Sequence, residues 1–361
     1  MGKFFTNLSV NPKDVQTLKD LIPYSIDKDE EFQEYITLRK VNNGDPIGFF
    51  GDADDVGIQG SGCDPTYQEI GIANSQKRWT LGDWQIPLKI CYESLEGTIA
   101  EYTLKTGTDI GDLTTGEFMQ YILRPALEKQ MKRMMWRFGW FGDTGAKTVA
   151  NGGQLTNGSK TDLFTTCDGL FKRIFAQCTA NNKQRTQIAA NNESTYAAQK
   201  AAMLVKGAAT GIMDNVLMDA DSRIISDGEA VIYMTDLFGK CLTHDVKERW
   251  NINMPWEKIF DGVEVAKYDT VKVVRISIWD RMISAYEKVQ TGEGASAVDN
   301  VNKPFRLVFG NKRQFMVGTP ADGLISDLDI WFDKKERRNY IYSTGKIGTS
   351  LLEDDMFHAA Y

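Results

Sequence analysis

Histidine is almost missing from this chain: His244 and His358 are the only two in 361 residues. Neither has a candidate nucleophile or metal partner nearby in sequence, which disfavours a histidine-based triad and a histidine-rich metal site. The five cysteines, Cys63, Cys91, Cys167, Cys178 and Cys241, are odd in number, widely spaced and without a CxxC pair. That pattern argues against a disulfide framework and a thiolate zinc site, and suits a reducing cytosol. Basic charge is short as well, since 42 Lys and Arg face 49 Asp and Glu, a net charge of −7. Such a chain carries no field able to neutralise many phosphates, so tight sequence-specific DNA binding is not expected. Long apolar runs are missing too. Nowhere do roughly 18 apolar residues follow one another, and Met1 to Asp14 holds no signal-peptide core, so a soluble protein without membrane contact is expected. Met1-Gly2-Lys3-Phe4-Phe5-Thr6 matches the loose myristoylation pattern, which arises often by chance.

What is present is a folded composition, with 42% hydrophobic residues and length for one large or two ordinary domains. Asn11 and Pro12 open a first short helix that Pro23 ends, and Asp27 with Glu30 opens a second. Glycines 44, 48, 51, 57, 60 and 62, set among aspartates, favour an exposed projection. Trp84, Ile86, Leu88 and Ile90 then alternate as in a half-buried strand, with Pro87 marking an edge. Residues 47–90 therefore read as a long two-stranded excursion. Leu95, Ile99 and Tyr102 predict a short helix. The main helix comes next at 115–138, from the capping-box pair Thr114 and Glu117 through Leu127, Met131, Met134 and Phe138, with a kink at Pro125.

A Gly-, Thr- and Asn-rich loop at 142–161 leads to a helix at Cys167 to Gln177 and to a second long helix at 193–220. Ala230-Val231-Ile232-Tyr233-Met234 is a continuous apolar run, as for a strand covered on both faces, and Thr235 or Asp236 caps a helix to about Trp250. Strands are predicted at Thr270 to Ile278, Pro304 to Phe309 and Arg313 to Val317, the last two joined as a hairpin through Gly310-Asn311-Lys312. Leu328 to Phe332 and Asn339 to Ile347 make a final hairpin around the charged run Asp333 to Arg338. Helices and strands mix without a βαβ rhythm, which points to the α+β class.

The chemical motifs fail on inspection. Gly139 to Thr148 resembles a phosphate loop, but Lys147 does not directly follow glycine and the segment comes after a helix instead of before one. Asp52, Asp54 and Gly57 fit part of a calcium loop, yet Val56 and Cys63 stand where ligands are required. Acidic pairs such as Glu30-Glu31 and Asp354-Asp355 read as solvated charge, and His244 as a surface residue. No catalytic, cofactor-binding or metal-binding residue is predicted, and no cofactor. Lys334, Lys335, Arg337 and Arg338 crowd a hairpin tip. Of the eight tryptophans, Trp79 and Trp84 lie on the predicted projection, where a large aromatic needs a partner surface. These six residues are the candidate intersubunit contacts.

In order, these pieces resemble the Hong-Kong-97 capsid fold of tailed-bacteriophage major capsid proteins, an architecture shared by encapsulins. The resemblance spans roughly residues 40–361. Residues 47–90 look like the extended loop, 86–95 like its return strand and following helix, and 115–138 like the spine helix. Phe141-Gly142-Asp143 and Asp168-Gly169-Leu170 are similar to the close of the spine and the step after it. Residues 230–249 and 305–313 resemble the axial-domain core and its late hairpin, and Tyr340 to Tyr361 the closing peripheral strand.

The resemblance implies an N-terminal arm at 1–46, an extended loop at 47–90, a peripheral domain at 91–190 and 328–361 with its long spine helix, and an axial domain at 191–327. It implies a non-enzymatic subunit that self-assembles into hexamers and pentamers of an icosahedral shell around double-stranded DNA. Assembly would take place in the host cytoplasm and end in the virion. Partners would be other copies, with portal, scaffolding and decoration proteins, and only weak non-specific contact with DNA. Only about 45 residues precede the loop, so scaffolding would come from a separate protein or have been removed already. An encapsulin-like compartment and a cytosolic α+β enzyme or ligand-binding protein are the alternatives; a gene neighbourhood holding a portal and a large terminase, or a cargo protein, separates the first two.

Overall fold

The structure is a computed structural model and describes residues 36–53, 72–90, 124–146, 161–226, 228–260, 262–291, 298–320, 325–333, 335–336 and 338–361. The two N-terminal helices, the helix at Leu95 to Tyr102, the calcium-like loop beyond Ala53 and Lys147 fall outside these residues.

Two large sheets organise the described residues. The larger is seven-stranded and mixed, in the order β5 (Arg185–Thr186), β16 (Phe357–Ala360), β12 (Leu307–Asn311), β6 (Ala230–Thr235), β9 (Val271–Ile276), β8 (Val263–Tyr268) and β7 (Glu257–Phe260). β6 runs parallel to β9 and antiparallel to β12. Its apolar run is continuous because both faces are covered. Ile232 and Met234 enter one core with Val273, Leu307 and Phe309, while Tyr233 enters the other with Val274 and Val308. Side chains of period two thus serve two cores from one strand.

The second sheet has five strands: β1 (Thr37–Lys40), β13 (Phe315–Thr319), β15 (Arg338–Leu351) and β14 (Ile325–Asp333), with β4 (Gly82–Ile90) also on β15. Pro87 pairs with Tyr342 on β4, whose other side is a free edge among the described residues, where a missing N–H costs nothing. β2 (Pro46–Ala53) and β3 (Ile72–Arg78) form a separate antiparallel pair, so β3 returns the excursion while the predicted strand at Trp84 to Ile90 joins the five-stranded sheet instead. β10 (Lys288–Thr291) and β11 (Val298–Val301) form another.

Helix α1 (Arg124–Phe141) closes the space between the sheets. Pro125 sits in its first described turn, and the predicted start at Thr114 lies outside the described residues. The helix runs three residues past the predicted stop because Trp140, fully buried, is its anchor. The Trp140 ring lies 5.2 Å from Phe171, 6.1 Å from Tyr233, 4.5 Å from Trp279 and 5.7 Å from Phe315. One side chain therefore joins the next helix, both sheets and α7 (Ser277–Tyr286).

α1 and α2 (Leu170–Ala180) meet at a glycine pair. The Gly169 N–H donates to the Gly142 carbonyl at 2.8 Å, and a Cβ on Gly142 would lie 2.3 Å from the Cys167 carbonyl oxygen. Across the junction Lys172 Nζ reaches Asp143 at 2.6 Å and Asp168 at 2.7 Å. Burial works against charge on Asp168, yet hydrogen bonds from Lys172 and Thr144 prevail and hold its carboxyl below the usual range.

Several expected elements differ. Residues 193–220 are not one helix but α3 (Tyr196–Met203) and α4 (Ala208–Asp219), broken where Gly207 takes φ +88°. The short α5 (Ser222–Ser226) comes after them. The strand predicted to Ile278 stops at Ile276, and α7 begins at Ser277. The helix predicted from Cys167 starts at Leu170, while α6 (Asp236–Trp250) ends where predicted.

The hairpin through Gly310-Asn311-Lys312 does not form. β12 pairs with β6 and β16, and β13 with β1 and β15, so a single 3-10 turn carries the chain from one sheet to the other. Gly310 is there to make room, since a Cβ would meet the Phe315 ring at 3.0 Å. The final hairpin, β14 with β15, does form in antiparallel register. The closing segment is divided: β15 belongs to the five-stranded sheet, but β16 and the distant β5 lie in the seven-stranded one.

Candidate intersubunit surfaces

Trp79 and Trp84 do not present rings to solvent; each is only 4% exposed. Trp79 packs in a small cluster with Ile47 and Met316 and lies against Gly318, where a Cβ would come 2.6 Å from its ring. Trp84 belongs to the main core. The partner surface they were expected to need is supplied by this chain's own β13 and β15, because β4 folds back onto the five-stranded sheet.

At the hairpin tip, Lys334 and Arg337 lie outside the described residues, and of Arg338 only its place at the start of β15 is described. Lys335 is exposed. Its N–H donates to the Asp333 carboxylate at 2.7 Å, as does that of Glu336 at 3.2 Å, so the aspartate shapes the turn and leaves the lysine outward.

Beside this tip lies a feature absent from the sequence-based expectations. Register puts Lys89, Tyr340 and Trp331 in one row across β4, β15 and β14, on the face opposite the buried Ile341. The Trp331 and Tyr340 rings stack at 5.5 Å and 12°, yet Trp331 remains 46% exposed. Alternation within Leu328 to Phe332 puts Trp331 on the outer face, and that is the signal the sequence offers.

A second apolar surface sits at one end of the seven-stranded unit. The α3–α4 turn carries Leu204 and Val205, the latter 61% exposed, and α6 ends in the exposed Trp250, followed by Ile252 at 60%. Asp245 of α6 holds the two together, accepting from the Gly207 N–H at 2.6 Å and the Thr210 N–H at 2.9 Å. It thereby caps α4, whose N-cap glycine has no side chain for the purpose. Burial alone would raise the Asp245 carboxyl, but those backbone hydrogen bonds and Arg249 pull it below the usual range. The turn is therefore rigidly posed with its apolar residues outward.

α6 is capped from outside as well. Asp280 of α7 accepts from the Asp236 N–H at 2.6 Å and the Leu237 N–H at 3.1 Å, while Thr235 makes no side-chain cap. Burial pushes the Asp280 carboxyl up to about 7. A further buried pair, Glu287 with Arg306, is shielded from water, and burial raises Glu287 to about 7 against the pull of its arginine. His244 is exposed on α6, and His358 is buried against Thr186 at 2.8 Å, so the two histidines stand on separate elements with no shared chemistry. Among the described residues no cluster of metal-ligating side chains forms, and no helix is long and apolar enough to cross a membrane.

No protein-family model matches this chain, and no curated protein is similar to it in sequence. Solved structures are similar in shape. A chain of the satellite phage P4 procapsid, solved with its size-determination protein, superposes with a TM-score of 0.50 at 12% identity, over 96% of this chain and 98% of that one. A chain from the capsid of an empty GTA particle superposes at TM-score 0.47, 10% identity and coverage of 91% and 88%. The holo-SrpI encapsulin complex of Synechococcus elongatus PCC 7942 gives TM-score 0.45, 7% identity and coverage of 92% and 87%. The fold assignment rests on the first of these, taken with the element order: the chain has an α+β fold of the Hong-Kong-97 capsid type.

Proposed function

We propose that this chain is the major capsid protein of a tailed bacteriophage, a non-enzymatic subunit whose activity is self-assembly into hexamers and pentamers of an icosahedral shell. The observation that carries this reading is the end-to-end likeness to a procapsid chain, which leaves neither sequence without a counterpart for most of its length. In this reading β2, β3 and β4 belong to the extended loop, and α1 is the described part of the spine. β13, β14 and β15 of the five-stranded sheet belong to the peripheral domain, and the seven-stranded sheet with α3 to α7 forms the axial domain, which moves β13, β5 and β16 across the domain bounds expected from sequence.

Two surfaces suit such a role. The Trp331–Tyr340 face with Lys335, and the apolar end formed by Val205, Trp250 and Ile252, both hold large apolar groups outward on rigid supports. Many modest contacts of this kind, repeated by symmetry, sum to a stable closed shell. The net charge of −7 suits a container, since a lumen that held DNA tightly would oppose its movement. Portal, scaffolding and decoration proteins would be the further partners, and the virion the final location.

Size-exclusion chromatography with negative-stain microscopy of the expressed chain tests this directly. Capsomers or closed shells are the expected result, and a stable monomer that never associates at high concentration overturns it.

A further inference from the structure

Lys303 is one of three described non-glycine residues with positive φ, at +45°, a region that asparagine or glycine enters more easily. Nothing about the backbone there calls for lysine. The ammonium lies 4.4 Å from the centre of the Phe175 ring and 4.3 Å from that of Tyr361. Two more cations share this neighbourhood: Arg185 is 4.4 Å from the same Tyr361 ring and Arg306 is 4.9 Å from Phe171.

Anions are fewer. Glu287 is taken by Arg306, and Asp143 by Lys172 at 2.6 Å and the Gly145 N–H at 2.9 Å. No described carboxylate pairs with Lys303, and the buried Nε of Arg185 has no hydrogen-bond partner. Burial and the Arg306 and Arg185 guanidinium groups lower Lys303 to about 8, against a weaker opposing pull from the Glu287 carboxylate, which is bridged to Arg306. Lys303 also borders a cavity of about 340 Å³ whose other walls include the rings of Trp140, Phe141, Phe171 and Phe175 and the two bridged carboxylates Asp143 and Glu287, a volume within the range of small-ligand sites.

We infer that this cavity between α1, α2 and the β11–β12 connection binds a small carboxylate with an apolar, preferably aromatic, body, its carboxylate on Lys303 and its body among the aromatic walls. The site is independent of the capsid reading and goes beyond it. Charge selects the head group, because no described carboxylate bridges the Lys303 ammonium; shape selects the body, because four of the walls are aromatic rings.

The test uses the full chain and isothermal titration calorimetry with 4-phenylbutyrate, with 4-phenylbutanol as its uncharged counterpart and acetate as the head group alone. Saturable binding of phenylbutyrate is expected, at least about tenfold tighter than either control. Lys303→Asn removes the charge while keeping a residue at ease in the left-handed region, and should weaken phenylbutyrate about tenfold without lowering the thermal midpoint of the unliganded protein. Ala176→Phe, which fills the exposed mouth on α2, should abolish binding and serves if the first variant does not fold. Equal affinity for acid and alcohol, unchanged affinity in either folded variant, or no saturation at concentrations on the order of 10 mM overturns the inference.

Discussion

The seven-stranded sheet and the β4–β15–β14 face both send successive side chains to opposite faces, but they treat water differently. In the first, β6 and β12 are buried on both faces, and the helices α4, α6 and α7 complete the cover. In the second, one face meets the main core through Ile341 while the other leaves Trp331 stacked on Tyr340 in solvent. The first arrangement is self-sufficient, and its residues answer for stability. The second forgoes burial that a tryptophan ordinarily obtains, which makes sense where another molecule completes it.

That contrast is most directly broken at Trp140, which joins both sheets. Trp140→Ala should cost about 3–5 kcal/mol of unfolding free energy in urea titration, as large-to-small changes in packed cores do. A loss below about 1 kcal/mol would mean that the two sheets are stabilised separately. Next in size is the buried pair. Glu287→Gln leaves the Arg306 guanidinium shielded from water without its charge partner, and about 3 kcal/mol should be lost; the double variant Glu287→Leu with Arg306→Met should recover most of it. Failure of the double variant to recover would show that the pair's hydrogen bonds to the Lys303 and Asn302 carbonyls matter more than its charge.

Much of the self-sufficient region was legible from sequence, and the reason is physical. A strand covered on both faces must be apolar throughout, so Val231 to Met234 stood out, and α6 announced itself through Thr235-Asp236 and its length. The β14–β15 hairpin was equally plain from its charged tip. The features that escaped were set by contacts distant in sequence. Gly207 breaks 193–220 because Asp245 of another helix caps α4, and Gly310 marks packing room for Phe315 instead of a turn. Trp79 and Trp84 looked stranded on a projection only because the partner covering them, around Gly318 and Ile347, lies more than two hundred residues away. The Trp331–Tyr340 surface was within reach of simple alternation, whereas the Val205–Trp250 end required knowing where α3 stops.

Intermediate effects come from the carboxylates that cap helices. Asp245→Ala removes the acceptor for two backbone N–H groups of the α3–α4 turn and should cost about 1–2 kcal/mol, measured by thermal or urea unfolding. Asp280 acts through pH. Its folded-state pKa stands at about 7, above the ordinary 3.8, so the folded state holds its proton longer than the unfolded one. The associated stability is fully present below about pH 3.8 and is lost as pH rises through about 7. Glu287, raised to about 7 as well, adds a slope of the same sign. Unfolding free energy should therefore fall between about pH 4 and 7, and Asp280→Asn should flatten that fall without abolishing it. An unchanged slope in the variant would assign the whole effect to Glu287.

The smallest effect on stability separates the two regions most clearly. Trp331→Ala gives up one exposed stacking partner and should change unfolding free energy by no more than about 1 kcal/mol. If the outer face of β4–β15–β14 exists for a neighbouring copy, the same variant should lower the yield of assembled particles in sedimentation far more than that loss implies, because each shell repeats the contact many times. Parallel loss of stability and assembly would instead make Trp331 an ordinary prop for Tyr340. Full assembly with a nearly unchanged stability would leave the exposed stack without a role in the shell and shift attention to the Val205–Trp250 end, where the turn held by Asp245 offers the other rigid apolar surface.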